Sequence, residues 1–306
     1  MFLFTFKRTL LALAVAMMAS FVTFMLLRLT GDVATALAGE GASDLAIAEI
    51  RQRYGLDQPL LSQYLAWLHL LLQGDLGTSI YHNAPVAQLI WERLGTTLLL
   101  GSLSIAFALS FALPLGILGA LKPGGVIDTI GTSLAMLGQA IPTFWLALLL
   151  VIVFGVHLRL LPISGSDTLL HFIMPAMAVG FYFAPPILRL TRAGMIDAMK
   201  ADYVRMAISK GLPMRIVVIK HALRNALLPL ISLTAVEVGF VLSGSLVVET
   251  IFSIQGVGLL AYNSVVRGDF PLLQGFILVL SVVFNFLVLA ADLISAWIDP
   301  RLRQAK

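Results

Sequence analysis

Six stretches of this 306-residue chain hold close to the roughly 20 largely apolar residues that a helix needs to cross a bilayer: 9–29, 97–121, 130–156, 172–194, 226–252 and 274–297. Hydrocarbon offers a peptide group no hydrogen-bond partner, so a segment lying in it must satisfy its backbone internally, as a helix does. Composition agrees. The chain is 59% hydrophobic and 12% charged, against about 25% charged in ordinary soluble chains, and its mean hydropathy is +0.97. The reading is an all-α integral membrane protein with six transmembrane helices.

The first run, Leu10 to Leu27, follows Lys7-Arg8 as the core of a signal peptide would. Such cores are usually ~7–15 residues long and end in small residues. This one is longer, with Phe21, Phe24 and Met25 where a cleavage motif would sit, so it is expected to be a retained membrane helix. Orientation follows from the basic residues of the connecting segments. With both termini inside, the inner side collects Lys7, Arg8, Lys122, eight residues between 189 and 224, and Arg301, Arg303 and Lys306, which is 14 of the 20 Lys and Arg. Internal prolines (Pro114, Pro142, Pro175, Pro185, Pro186, Pro229) are either breaks in a moving, cavity-lining bundle or the ordinary proline content of membrane helices.

The expected organisation is an N-terminal membrane helix (1–29), an external cap segment (30–95), a transmembrane core (96–297) containing a cytoplasmic segment 195–224, and a cytoplasmic tail (298–306). Within the cap, Ser43 to Tyr54 reads as a short amphipathic helix ended by Gly55, and Gln63 to Leu72 as a second one before the turn Gly74-Asp-Leu-Gly77.

Several chemistries are absent. Without cysteine there are no disulfides and no thiolate ligands. No phosphate-binding glycine loop ending in Lys-Ser/Thr occurs, and the five histidines are scattered without metal-ligand spacing. No catalytic or metal-binding residue is therefore assigned, and the chain is not expected to be an enzyme. Carboxylates inside spans are costly and default to function. Glu237 and Glu249 are candidates to line a pathway; Glu237 alternatively holds helices together as a hydrogen-bonded carboxyl. Asp292 is expected to pair with Arg301 near the inner boundary.

The remaining feature is the polar island from Arg189 to Arg224, with eight Lys/Arg against Asp197 and Asp202. Met195, Ile196, Met199, Tyr203, Met206 and Ala207 recur near helical spacing, which predicts one apolar stripe along 195–210. Gly211 supplies a left-handed C-terminal residue and Pro213 forbids continuation. The island is thus a helix, a sharp turn and a second helix re-entering the membrane. It is either a docking element for a soluble partner or a solvated loop that only fixes topology.

The residues of the island resemble a known pattern. Arg205-Met-Ala207, Gly211 and His221-Ala-Leu are similar in spacing to the ATPase-contacting loop of ABC importer permeases, with Arg205 where the general loop has Glu and Arg224 where it has Pro. Across nearly the whole chain, Arg53-Tyr-Gly-Leu-Asp-Gln-Pro-Leu60, Gly74-Asp-Leu-Gly-Thr-Ser79, Ile141-Pro-Thr-Phe-Trp145, Asp202-Tyr-Val-Arg205, His221–Pro229, Val248-Glu-Thr-Ile-Phe252 and Asp299-Pro-Arg301 resemble the first permease of the dipeptide/oligopeptide/nickel family. Ile254-Gln255 departs from the Trp-Pro usual before Gly256. The resemblance implies a type I ABC importer permease fold in a bacterial inner membrane. It implies a second permease, two ATPase subunits that bind ATP and Mg, and an external binding protein as partners, with no cofactor in this chain. Asp202, Tyr203, Arg205, Ala207, Lys210, Gly211, Pro213 and His221 would form the ATPase-coupling site, with 202–213 as the coupling helix. Peptides, nickel complexes and other small solutes are all carried by relatives, and peptides are preferred because no His or carboxylate cluster suits bare metal. Two other classes stay open on the residues alone: a proton-coupled transporter using Glu237 or Asp292, and a membrane scaffold.

Overall fold

The computed structural model describes residues 2–39, 41–227, 229, 230, 233, 234, 237, 239 and 245–298. Regular structure among them is helical, apart from an isolated bridge between Thr78 and Pro85. The first membrane helix, α1 (Phe2–Thr30), leads into three short helices: α2 (Val33–Ala38), α3 (Asp44–Arg53) and α4 (Leu60–Leu72). Asp32 and Ser43 start α2 and α3 by accepting hydrogen bonds from the backbone N–H of Ala34 and Ala46. Helix α4 is apolar and lies along α1. Its Tyr64 packs edge-on against Phe21 and Phe24, with ring centroids 5.1 and 5.4 Å apart, and its hydroxyl hydrogen-bonds Ser20. Ser20 sits ten residues back from the end of α1, about 15 Å along its axis, so this part of the segment flanks the membrane helix instead of standing off it.

Helix α5 (Val86–Leu121) starts directly after Pro85, eleven residues before the expected 97. Its 36 residues span about 54 Å, more than the ~30 Å of hydrocarbon, so part of it extends beyond the membrane. The third apolar run is not one straight span. Helix α6 (Val126–Ala140) and helix α7 (Thr143–Leu150), which widens into π-helical turns over Val151–His157, meet at 102°. Pro142 is the cause: it offers no N–H and drives Ile141 into extended backbone (φ −86°, ψ 120°). Pro114, Pro175, Pro185 and Pro186 lie inside unbroken helices.

Helix α8 (Leu170–Lys200) is the centre of the bundle. It packs along α5 at backbone contact, because small residues face each other. A Cβ on Gly180 would collide with the Ser104 carbonyl and the Phe107 ring, and one on Gly116 would come 3.0 Å from the Leu188 carbonyl. Membrane helices lack a hydrophobic drive towards each other, and close van der Waals packing of this kind replaces it. Leu100, Ala108, Ala112, Met174, Ala178 and Ile187 fill the seam, fully buried.

The helix expected over 195–210 is in fact two. Helix α8 ends at Lys200, Ala201 is extended (φ −70°, ψ 148°), and α9 (Asp202–Ser209) begins in a new direction. After it come α10 (Met214–Ile216), π-helical turns over Val217–Ala222 and α11 (Leu223–Ala226). The predicted span 226–252 falls largely outside the described residues; its far end is α12 (Leu246–Ile251). Then α13 (Val257–Arg267), a helix with no sequence-based expectation behind it, precedes the last membrane helix α14 (Phe270–Ile298). The Asp292 side chain and the tail beyond 298 lie outside the described residues. Among the described residues, four single helices and the bent pair are long and apolar enough to cross a membrane.

Candidate functional site

Helix α9 is held like a short bar across one end of the bundle. Val204 and Ala207, one turn apart, are buried against Met195 and Ala198 of α8, Ala120 of α5, and Val217 and Val218 of the π-helical turns. Burying Val204 contributes about 1.5–3 kcal/mol. The opposite face is open: Tyr203 is 41% exposed and Met206 60% exposed. Arg205 reaches Asp202 at 3.7 Å, but both side chains are in water, where such a pair is worth little.

The end of α9 is closed by backbone. Gly211 stands at φ +76°, its N–H donates to the Ile208 carbonyl (2.9 Å), and the Leu212 N–H reaches back to the Ala207 carbonyl (3.4 Å). This paired 5→2 and 6→1 pattern needs a left-handed residue, for which glycine carries no Cβ penalty. Pro213 then opens α10. Of the residues named from sequence, Asp202, Tyr203, Arg205 and Lys210 lie on the open side of this bar. Ala207 faces inward as part of the seat, Gly211 and Pro213 shape the turn, and His221 is half-buried in the following turns.

Beneath the bar lies an ion pair that periodicity gave no reason to expect. Arg192 of α8 donates from Nη2 to Asp128 Oδ2 (2.8 Å) and from Nε to Oδ1, while the Gly124 N–H adds a bond to Oδ2 (2.8 Å). Asp128 has 7% of its side chain exposed and Arg192 32%. A two-pronged guanidinium–carboxylate contact fixes orientation as well as distance. It ties α6 and the loop before it to α8 three residues ahead of Met195, where the seat of α9 starts.

Of the two pathway candidates, Glu237 is buried. Glu249 is fully buried, and its carboxylate is engaged. It accepts from Thr97 Oγ1 (2.7 Å), Ser245 Oγ (2.8 Å) and the Leu259 N–H (2.9 Å), and Thr97 in turn accepts from the Val257 N–H. Gly256 and Gly258 are where a Cβ would run into this carboxylate. Glu249 thus binds α5, α12 and α13 into one junction. A comparable knot holds the segment before α5. Asp269, 2% exposed, accepts from Ser79 Oγ (2.5 Å) and from the N–H groups of Ile80, Tyr81 and Leu272, and the Arg267 guanidinium stacks 3.6 Å from the Tyr81 ring centroid.

A short helix seated across one end of the bundle and turned by Gly211 is one half of the case for an importer permease; the other half is likeness. The model of the "Binding-protein-dependent transport system inner membrane component" matches residues 112–304, and its N-terminal companion matches 1–101. The chain belongs to this family. It is 41% identical over 275 residues, 90% of both chains, to the glutathione transport system permease protein GsiC of Pectobacterium atrosepticum. It is 36% identical over 301 residues, 98% of both chains, to those of Salmonella choleraesuis and Escherichia coli K12. Among solved structures, a chain of the MetNI methionine ABC transporter, inward facing, superposes with a TM-score of 0.57 at 19% identity over 70% of this chain and 97% of that one.

This permease has the all-helical type I ABC importer fold. It is a multi-pass inner-membrane translocation subunit and not an enzyme; ATP hydrolysis belongs to a separate subunit, and the family works with ATPase, permease and binding-protein partners. An autonomous proton-coupled transporter and a passive scaffold are set aside by that membership.

Proposed function

We propose that this chain is one of two different permease subunits forming a shared pathway, with two ATPase subunits below and one external binding protein above. ATP and Mg are held by the ATPases, and this chain carries no cofactor. Six spans with both termini inside put 14 of the 20 basic residues on the cytoplasmic side, as the positive-inside bias requires. Segment 202–213 is the coupling helix: Tyr203 and Met206 enter an ATPase groove, Arg205 and Lys210 meet acidic residues at its edge, and Gly211 and Pro213 set the exit angle. Force from the ATPases enters at α9 and passes into α8 through the seat of Val204 and Ala207.

The observation that carries this reading is the open face of α9, apolar at its centre and basic around it, on a helix whose other face is locked into the bundle. An element used only for topology needs neither. The substrate is a small peptide or peptide-like thiol, because relatives 36–41% identical over nearly their whole length are named glutathione permeases; selection among such solutes falls to the binding protein. Uptake of labelled glutathione and dipeptides by cells with and without this chain tests the substrate. Loss of uptake of one of these on deletion is expected. Unchanged uptake of all of them, with loss of a nickel complex instead, would assign the other branch of the family.

A further inference from the structure

Where α1 leaves the membrane, a pocket of about 430 Å³ is lined by Arg28, Gly31, Asp32, Arg51, Leu56 and Gln63, among others. Its charges do not cancel. Arg51 is matched by Asp32, Nη2 to Oδ2 at 2.7 Å. Arg28 has no ion-pair partner among the described residues; its guanidinium is half-buried, 5.1 Å from the Phe24 ring centroid. A free arginine at a membrane boundary ordinarily extends towards water. This one is folded back over Phe24, inside the pocket. Gln63 in the wall is fixed by its amide nitrogen, which donates to the Leu56 and Gln58 carbonyls (3.1 and 2.8 Å). The exposed side chains of Leu26 and Leu29 flank Arg28.

We propose that this pocket binds the headgroup of a phospholipid, its phosphodiester on Arg28. An oxyanion answers the unmatched cation. The lipid is favoured over free phosphate because the pocket opens at the end of an apolar span, beside Leu29 and Leu60. The bound lipid would pin α1 to the segment 32–63.

The test uses the full chain, purified in detergent, stripped of lipid and examined by native mass spectrometry. Phosphatidylethanolamine, phosphatidylglycerol, diacylglycerol with the same acyl chains, and inorganic phosphate are added at equal concentration. One phospholipid retained per chain is expected, with no diacylglycerol and no displacement by phosphate. Arg28→Gln should weaken retention ~5- to 10-fold, the scale of one basic residue at a lipid surface. Diacylglycerol retained equally well reduces the site to a greasy surface, and displacement by phosphate makes it a free-anion site; either overturns the assignment, as does unchanged retention by Arg28→Gln. If Arg28→Gln fails to insert, Gln63→Glu, which places a negative charge in the same pocket, must weaken retention, and the headgroup series on the unaltered chain decides independently.

Discussion

Gly211→Val is chiefly a test of the turn, because the site has room. A Cβ built on Gly211 meets no heavy atom within 4 Å, so the first side-chain atom has open space. The main effect is conformational. At φ +76° a side chain costs about 1–2 kcal/mol, and the β-branch of valine puts this substitution at the upper end. If the backbone relaxes instead, the bonds to the Ile208 and Ala207 carbonyls go, at about 1 kcal/mol each. A loss of ~2 kcal/mol is small against overall stability yet shifts the local turn equilibrium about 30-fold. The chain should therefore still insert and assemble, while α9 and the following turns no longer hold a fixed angle. The assay is ATP hydrolysis and substrate uptake measured together in vesicles containing the full transporter. Hydrolysis should continue with uptake per ATP reduced several-fold. Asparagine tolerates the left-handed region better than other side chains, so Gly211→Asn should recover much of the loss. Normal uptake per ATP for Gly211→Val, or Gly211→Asn as impaired as Gly211→Val, would falsify the turn as the coupling element.

Other consequences concern the junctions. Asp128→Asn should destabilise the purified chain by about 1–3 kcal/mol, below the 3–5 typical of a broken buried pair because Arg192 has 32% of its side chain in water. Exchanging the two residues, Asp128→Arg with Arg192→Asp, should recover part of it, giving a coupling energy of at least ~1 kcal/mol in thermal unfolding; none would mean the contact is incidental. Glu249→Gln replaces an acceptor by a donor opposite Thr97 and Ser245 or opposite the Leu259 N–H and should cost about 1–3 kcal/mol, visible as a lower unfolding temperature. Asp269→Asn must turn an amide towards at least one of the donors around it, so the segment 77–85 should become open to protease while the membrane helices stay intact.

The membrane helices were readable because burial in lipid imposes a run length that sequence displays directly. The short helix read from Ser43 to Tyr54 and the Gly211-Pro213 stop were equally local, set by neighbours within a few residues. What could not be read depends on residues far apart. Asp128 and Arg192 are 64 positions apart, Thr97 and Glu249 are 152, and Ser79 and Asp269 are 190; no period links them. The break at Ala201 has no glycine or proline to announce it. Its cause is tertiary: Val204 and Ala207 reach the Met195–Val217 seat only if α9 turns away from α8. At Ile141-Pro142 the signal was present, but proline also sits unbroken inside α5 and α8, so only packing tells a 102° bend from a tolerated residue.

The central claim is that the open face of α9 touches an ATPase. The chain has no cysteine, so single cysteines can carry a photo-crosslinker without background. Placed at Met206, 60% exposed, the label should capture the ATPase subunit in membranes, and more so than a label at Val204 on the buried face. A Met206 label that captures only lipid or the partner permease, in a complex that still hydrolyses ATP, would contradict the account.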